Sequence, residues 1–309
     1  MDFALQTAGS YDEVLAAAHW AAARDMVAIA VPDHYVSGLT GEPTTTYDPY
    51  PVLAGLARDI DVLELVVLVS PITFRHPAVM LKAATTIDHM SGGRFALGLG
   101  TGWLDREHEI FGIPYPPMAE RYEILEEALG YVRAGRGPEP AGFHGRHFAL
   151  ERVAVLPRPI GPMRIVVGGV GPVKTPTLAG RYADEFNIYP GDRDDVRRRI
   201  DVAKSAAAVA GRDFDQILLS TSGQIVAAAT EAEYRDKLDR LAESAKLDLE
   251  DLEAHFQRRN TPRGSYEQVA EQVSMLAGLG AERFYVQWPA GFDREEGSEI
   301  LGYLRNAVG

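Results

Sequence analysis

The chain has 309 residues, 46% of them apolar, enough to bury a large core and long for an ordinary domain. Its 44 acidic residues outnumber 31 basic ones, and the net charge of −13 repels a phosphate backbone, which argues against nucleic acid as a partner. With no cysteine, disulfides, thiolate catalysis and cysteine metal sites are excluded.

No apolar run approaches a membrane span, and MDFALQTAGS has neither a basic nor a long apolar region, so no signal peptide is read and the cytoplasm is the expected compartment. Along the chain, strand and helix alternate. DFALQT reads as a first strand, with a helix from about Tyr11 to Arg24. MVAIAVP is a second strand and PYPVLAGLARDI a helix. LELVVLVS is a third strand; the helix PAVMLKAATTIDHM after it carries Val79, Met80, Ala83, Ala84, Ile87 and Met90 at helical spacing and stops at SGG. RFALGLG is the fourth strand, and a long helix runs from about Met118 to Ala134. Residues 135–160, rich in Gly and Pro, read as a hairpin insertion. Strand five is MRIVVGG, followed by the helix TPTLAGRYA; strand six is DEFNIYP, followed by the helix DDVRRRIDVAKSAAAVAG. QILLSTSGQIVAA is strand seven, and the charged, helical residues 230–262 are a second insertion. SYEQVAEQVSMLAGLG is the last helix and ERFYVQWP strand eight. Eight strands alternating with helices over residues 1–309 predict a single (β/α)8 TIM barrel with insertions, an α/β fold; an open doubly wound sheet is the competing arrangement.

In either fold the chemistry belongs at the C-terminal ends of the strands. Asp33 and His34 follow strand two, Ser70 and Pro71 strand three, Gly100, Thr101, Gly102 and Trp103 strand four, Gly168 to Gly171 strand five, and Gln287 and Trp288 end strand eight. Gly98, Gly100 and Gly102 occupy alternate positions, which strips one face of the strand of side chains. Two explanations fit. The glycines make room for a large neighbouring side chain, or they let a flat or anionic ligand reach the backbone N–H groups. Their spacing is not that of the dinucleotide fingerprint. Gly168, Gly169, Val170 and Gly171 have a similar meaning, with Lys174 and Arg181 downstream to supply charge, or else form a plain strand-to-helix turn. His34 has the side chain best suited to proton transfer near neutral pH; packing and capping roles for the Asp33–His34 pair are the alternative. The remaining histidines lack the spacing of a zinc site, so no metal is expected.

These stretches resemble the bacterial luciferase-like flavin and deazaflavin oxidoreductases. "RHPAVMLKAATTIDHMSGGRFALGLGTGW" carries most of the resemblance, with "PDHY", "EHEIFGIPY", "RYEILEEAL", "LPRPIGPMRIVVGGVG", "RYADEFN" and "GSYEQVAEQVSMLAGLGAERFYVQ" in the right order. The resemblance implies a TIM barrel. It implies that Gly100, Thr101, Gly102 and Gly168, Gly169, Val170 and Gly171 hold the phosphate side chain of a flavin-type cofactor. It also implies that Val67, Leu68, Val69 and Ser70 form a bulge with a cis peptide under the ring. The "SGGRFALGLGTGW" form and the Asp–His pair look like the branch that uses coenzyme F420; FMN, with a two-component monooxygenase reaction, is the alternative, and a non-catalytic flavin-binding protein a third. In the deazaflavin branch the residue matching His34 acts in proton transfer and that matching Asp33 supports the ring or the histidine. The branch's sugar-phosphate dehydrogenases carry a glutamate where Trp103 stands, which puts their particular reaction in doubt here. The expected reaction is hydride transfer to or from a small organic substrate, with His34, held by Asp33, moving the proton, and with Trp103, Tyr35, Phe74 and Trp288 as candidates for an apolar substrate wall. The two insertions are expected to shape the substrate pocket, and the resemblance implies a homodimer.

Overall fold

The computed structural model describes residues 1–37, 41, 43–288 and 293–308; Pro289, read as the end of strand eight, lies outside them. In chain order the first half contains β1 (Asp2–Gln6), α1 (Tyr11–Ala22), β2 (Ala28–Val31), α2 (Pro49–Asp59), β3 (Glu64–Pro71), α3 (Pro77–Ser91), β4 (Phe95–Gly100), α4 (Asp105–Phe111) and α5 (Met118–Arg136). A hairpin of β5 (Ala141–His144) and β6 (Ala149–Val153) follows. Then come β7 (Ile165–Gly169), α6 (Lys174–Tyr182), β8 (Glu185–Ile188), α7 (Arg193–Val209), β9 (Leu218–Gln224), β10 (Val226–Ala228), α8 (Glu231–Ala245), α9 (Leu249–Arg258), β11 (Arg263–Ser265), α10 (Tyr266–Gly278), β12 (Arg283–Gln287) and α11 (Arg294–Val308). Ser10 with Glu13, Thr230 with Glu233 and Ser265 with Gln268 form capping boxes that start α1, α8 and α10.

Eight parallel strands close in the order β1-β12-β9-β8-β7-β4-β3-β2, and β2 returns to β1. The barrel expectation holds. Strand seven is shorter than its apolar run: it ends at Gln224, and β10 pairs in parallel with β11 instead. That pairing ties down both ends of the 230–262 insertion, whose two helices pack Leu238, Ala242, Leu252 and Phe256 with Val226 in a small core of their own. The hairpin of the first insertion packs on α5, where Glu127 accepts from the backbone N–H groups of Arg146, His147 and Phe148. Phe148 of the hairpin also packs edge-on to His76, the N-cap of α3, at 5.0 Å. Two helices, α4 and α11, were not expected.

The barrel interior has three zones. At the N-terminal ends of the strands Arg164 and Arg283 bridge Glu64 at 2.6 and 2.7 Å, and Arg164 reaches the buried Glu185 at 3.1 Å. Above this ionic floor lie Ala4, Ala28, Ala30, Ala96, Val66, Leu68 and Val166 around the buried Tyr285. Nearer the mouth the inward groups are polar. Asn187 donates to Ser220 and accepts from Ser222, both at 2.9 Å, and Gln287 donates to Gln6 at 2.7 Å.

One irregularity breaks the barrel wall. Val67 pairs with Leu97 and Ser70 with Leu99, so three steps along β3 oppose two along β4. This is a β-bulge. The peptide between Leu68 and Val69 is cis, and the Leu68 carbonyl accepts from Gln6 Nε2 at 2.6 Å. The bulge turns Val69 inward against the glycines of β4 and β7. A Cβ on Gly98 would lie 2.1 Å from the Val67 carbonyl oxygen and 2.8 Å from Val69; one on Gly100 would lie 2.9 Å from Val69, and one on Gly168 3.1 Å. The glycine stripe thus serves close packing: what approaches the backbone is the chain's own bulge.

Gly98→Ala should therefore destabilise the protein by about 2 kcal/mol or more, because the obstruction is backbone. Gly302→Ala, in α11 with open space around it, should stabilise by roughly 0.5–1 kcal/mol. Urea denaturation of the two variants checks both signs.

Candidate active site

Asp33 and His34 are consecutive residues in extended chain beyond β2, so their side chains diverge. Asp33 turns inward and is fully buried. Its Oδ2 accepts from Ser70 Oγ at 2.7 Å and from Arg75 Nη1. Since Ser70 spends its proton on Asp33, Tyr50 must donate to Ser70, at 2.9 Å. Arg75 also donates to Asp48 at 2.5 Å and to the Tyr35 hydroxyl at 3.0 Å, and lies over the Tyr50 ring. Burial pushes the Asp33 carboxyl above its ordinary value, and Arg75 and Ser70 pull against that rise. Desolvation acts against the charge on Arg75, yet Asp33 and its neighbours outweigh it and raise the Arg75 pKa. Burial, with the Asp33 charge, raises Tyr35 to about 12, so it stays a phenol.

His34 turns the other way. Its Nδ1 lies 3.0 and 3.3 Å from the two oxygens of Glu107, a fully buried carboxylate. Glu107 also accepts from the Tyr35 backbone N–H at 3.1 Å. It sits in the first turn of α4, where the helix dipole favours negative charge. Nδ1 therefore donates to Glu107, and among the described residues Nε2 makes no hydrogen bond. The imidazole is about one-fifth exposed. The expectation that Asp33 holds His34 is corrected here: the holding group is Glu107, and Asp33 belongs to the Ser70–Arg75 cluster.

The other expected residues fall into place as follows. Val67 and Leu68 are buried in β3; Val69 is partly exposed on the bulge; Ser70 joins the Asp33 cluster. Gly100 ends β4, and Arg121 pins the next loop by donating to the carbonyls of Thr101 and Gly102. Gly102 (φ 76°) and Gly169 (φ 152°) take backbone conformations that L side chains resist. Val170 is exposed beyond β7, and Gly171 lies under the Tyr122 hydroxyl, where a Cβ would be 2.2 Å away. Trp103 is exposed beside His34, the rings edge-on at 5.6 Å. Tyr35 stacks on Phe74 at 4.7 Å. Trp288 does not join them; it is buried in the main core, edge-on to Trp20 at 5.5 Å. Its backbone N–H continues the strand by bonding to Gln6, and its side chain points to the helical layer.

Sequence reading missed Glu107, although it lies within LDREHE, four residues past Trp103. It also gave no role to Arg75 or to Gln6. The only signal for Glu107 was its place in an acidic stretch just after a strand end.

The sequence profile described as luciferase-like monooxygenase matches residues 3–284. The chain belongs to that family. Among curated proteins it is similar to pyrimidine monooxygenase RutA of Enterobacter cloacae subsp. cloacae, 28% identical over 205 residues, which cover 64% of this chain and 54% of the relative. It thus spans about half the length of that relative. Among solved structures, an F420-dependent secondary alcohol dehydrogenase in complex with an F420–acetone adduct superposes with a TM-score of 0.82, at 16% identity, over 100% of this chain and 99% of the other. The monooxygenase RslO1 from Streptomyces bottropensis gives 0.79, at 21% identity, over 100% and 98%. Among the described residues no helix is long and apolar enough to cross a membrane.

Arg75→Met should cost about 3–5 kcal/mol at pH 7, because it leaves the Asp33 carboxyl buried without its counter-cation. Burial raises the folded-state pKa of Asp33, and without Arg75 it rises further. A raised acid is stabilising only while protonated, so the deficit should shrink as pH falls from 7 toward 5. Denaturation curves of wild type and variant across that range check the sign.

Proposed function

We propose that this chain is an oxidoreductase that uses coenzyme F420, transferring a hydride between the deazaflavin and a small organic substrate while His34 moves the accompanying proton. The observation that carries this reading is the His34–Glu107 pair at the barrel mouth. Glu107 fixes the imidazole in one tautomer and orientation, and Nε2 is left to give or take a proton.

The surroundings suit a flat cofactor with a phosphate tail. Val69 offers partly exposed apolar surface between Gly100 and Gly168, whose missing side chains leave room for it. Gly102 and Gly169, at positive φ, shape the loops after β4 and β7, and Lys174, over the Tyr122 ring, adds positive charge nearby. On this reading Val67 to Ser70 support the ring, and Gly100 to Gly102 with Gly168 to Gly171 hold the tail. When bound, a reduced deazaflavin supplies a hydride at a ring carbon. The chain orients the substrate against Trp103, keeps water from the reacting atoms and delivers the proton from His34 Nε2. Asp33 acts at a distance, fixing Ser70 at the end of the bulge.

A second reading, an FMN-dependent monooxygenase, is supported by the 28% identity to pyrimidine monooxygenase RutA. It uses the same cradle with oxygen as co-substrate.

His34→Ala should lower turnover by about 10²- to 10⁴-fold with cofactor affinity unchanged. Glu107→Gln should lower it less, because the imidazole stays in place and loses only the carboxylate that orients it. Steady-state rates over pH 5–9, paired with cofactor titrations, test this. Full turnover in His34→Ala would overturn the proton-transfer role. A chain that binds the cofactor but turns over no reducible carbon compound would be a binding protein.

A further inference from the structure

Arg259 caps the C-terminus of α9, and the buried Leu252 and Phe256 anchor that helix in the small core of the insertion. Its guanidinium reaches over the ring of Trp103 at 4.5 Å and the ring of Tyr189 at 5.4 Å. Trp103 follows β4 and Tyr189 follows β8, and β7 lies between those strands in the barrel. The cation therefore stands above the end of β7, one aromatic ring away from His34. Its positive potential reaches His255, whose pKa is lowered by burial and by Arg259 and Arg258.

Arg259 is half-buried, and among the described residues its side chain makes no hydrogen bond or ion pair. The buried or half-buried Arg75, Arg164, Arg199 and Arg283 each have a carboxylate partner. Other buried or half-buried arginines without a carboxylate, among them Arg94, Arg121 and Arg305, donate to backbone carbonyls, so a half-buried guanidinium with neither kind of partner among the described residues stands apart. The two aromatic rings meet the charge without supplying a hydrogen-bond acceptor oxygen, and the guanidinium has five N–H donors. That fork matches carboxylate and phosphate oxygens.

We propose that Arg259 is the anion-recognition residue of the mouth, donating to a carboxylate or phosphate oxygen of a ligand bound between Trp103 and Tyr189. The inference rests on the mouth being the ligand site, not on which cofactor fills it. Two sources supply such an oxygen: an anionic substrate, or the phosphate of the cofactor tail.

The test is calorimetric titration of wild type, Arg259→Gln, Arg259→Lys and Arg258→Gln. The probes are benzoate, coenzyme F420 beside its phosphate-free deazaflavin chromophore, and FMN beside riboflavin. Arg259→Gln should weaken one class of anion by at least about tenfold. Arg259→Lys should fall between it and wild type, and Arg258→Gln, an exposed neighbour with the same charge change, should bind as wild type. A loss confined to benzoate assigns the contact to substrate. A loss confined to the phosphorylated member of each cofactor pair assigns it to the tail. Unchanged binding in Arg259→Gln, an equal loss in Arg258→Gln, or no saturable binding of any anion by wild type would overturn the inference. A wild type that binds benzoate through Arg259 but neither cofactor would instead overturn the proposed function and leave the inference standing.

Discussion

The close approach of Val69 to the backbones of β4 and β7 sets the geometry of the barrel mouth. One extra residue in β3 turns this side chain inward, and Gly98, Gly100 and Gly168 have no side chains to oppose it. Gln6 holds the bulge from the opposite side through the Leu68 carbonyl, and Gln287 holds Gln6. Ser70, the next residue, is tied to Asp33 and Tyr50. Four strands thus fix one local distortion, and the result is a partly exposed apolar surface above an alanine-lined interior.

Around that platform the charges are sorted by depth. Asp33 and Arg75 form a buried ion pair that ties the end of β2 to the segment after β3. Glu107, equally buried, faces His34, whose other nitrogen is left for chemistry. Arg259 lies outermost and unpaired. This ordering follows from simple rules: alternation along extended chain separates Asp33 from His34, a helix start suits Glu107, and an insertion tied down by β10 and β11 carries Arg259 to the mouth. The acidic surface of the chain says little about the mouth, where individual groups decide.

Most of the fold was legible because its signals are periodic. Eight apolar runs with intervening amphipathic helices indicate the barrel, and the Gly- and Pro-rich stretch at 135–160 marks the hairpin. Strand seven was read too long because Val226 to Ala228 is as apolar as a barrel strand; only its pairing with β11 shows that it leaves the barrel. The helix α11 was missed although Ile300, Leu301 and Leu304 bury a helical stripe. The site was less legible, since its contacts join distant parts of the chain. His34 and Glu107 are 73 residues apart, and Gln6 and Gln287 are 281 apart. The alternating glycines were conspicuous, yet nothing local shows that they face Val69. Trp288 looked like a mouth residue by position, but its side chain falls on the helix-facing side, against Trp20.

The central claim is that the cradle around Val69, with His34 beside it, receives a deazaflavin. The most direct measurement is titration of the purified protein with coenzyme F420 and with FMN, side by side, by calorimetry or fluorescence. The account predicts saturable one-to-one binding of coenzyme F420 that is tighter than binding of FMN. Tighter binding of FMN, or no saturable binding of either, would contradict it.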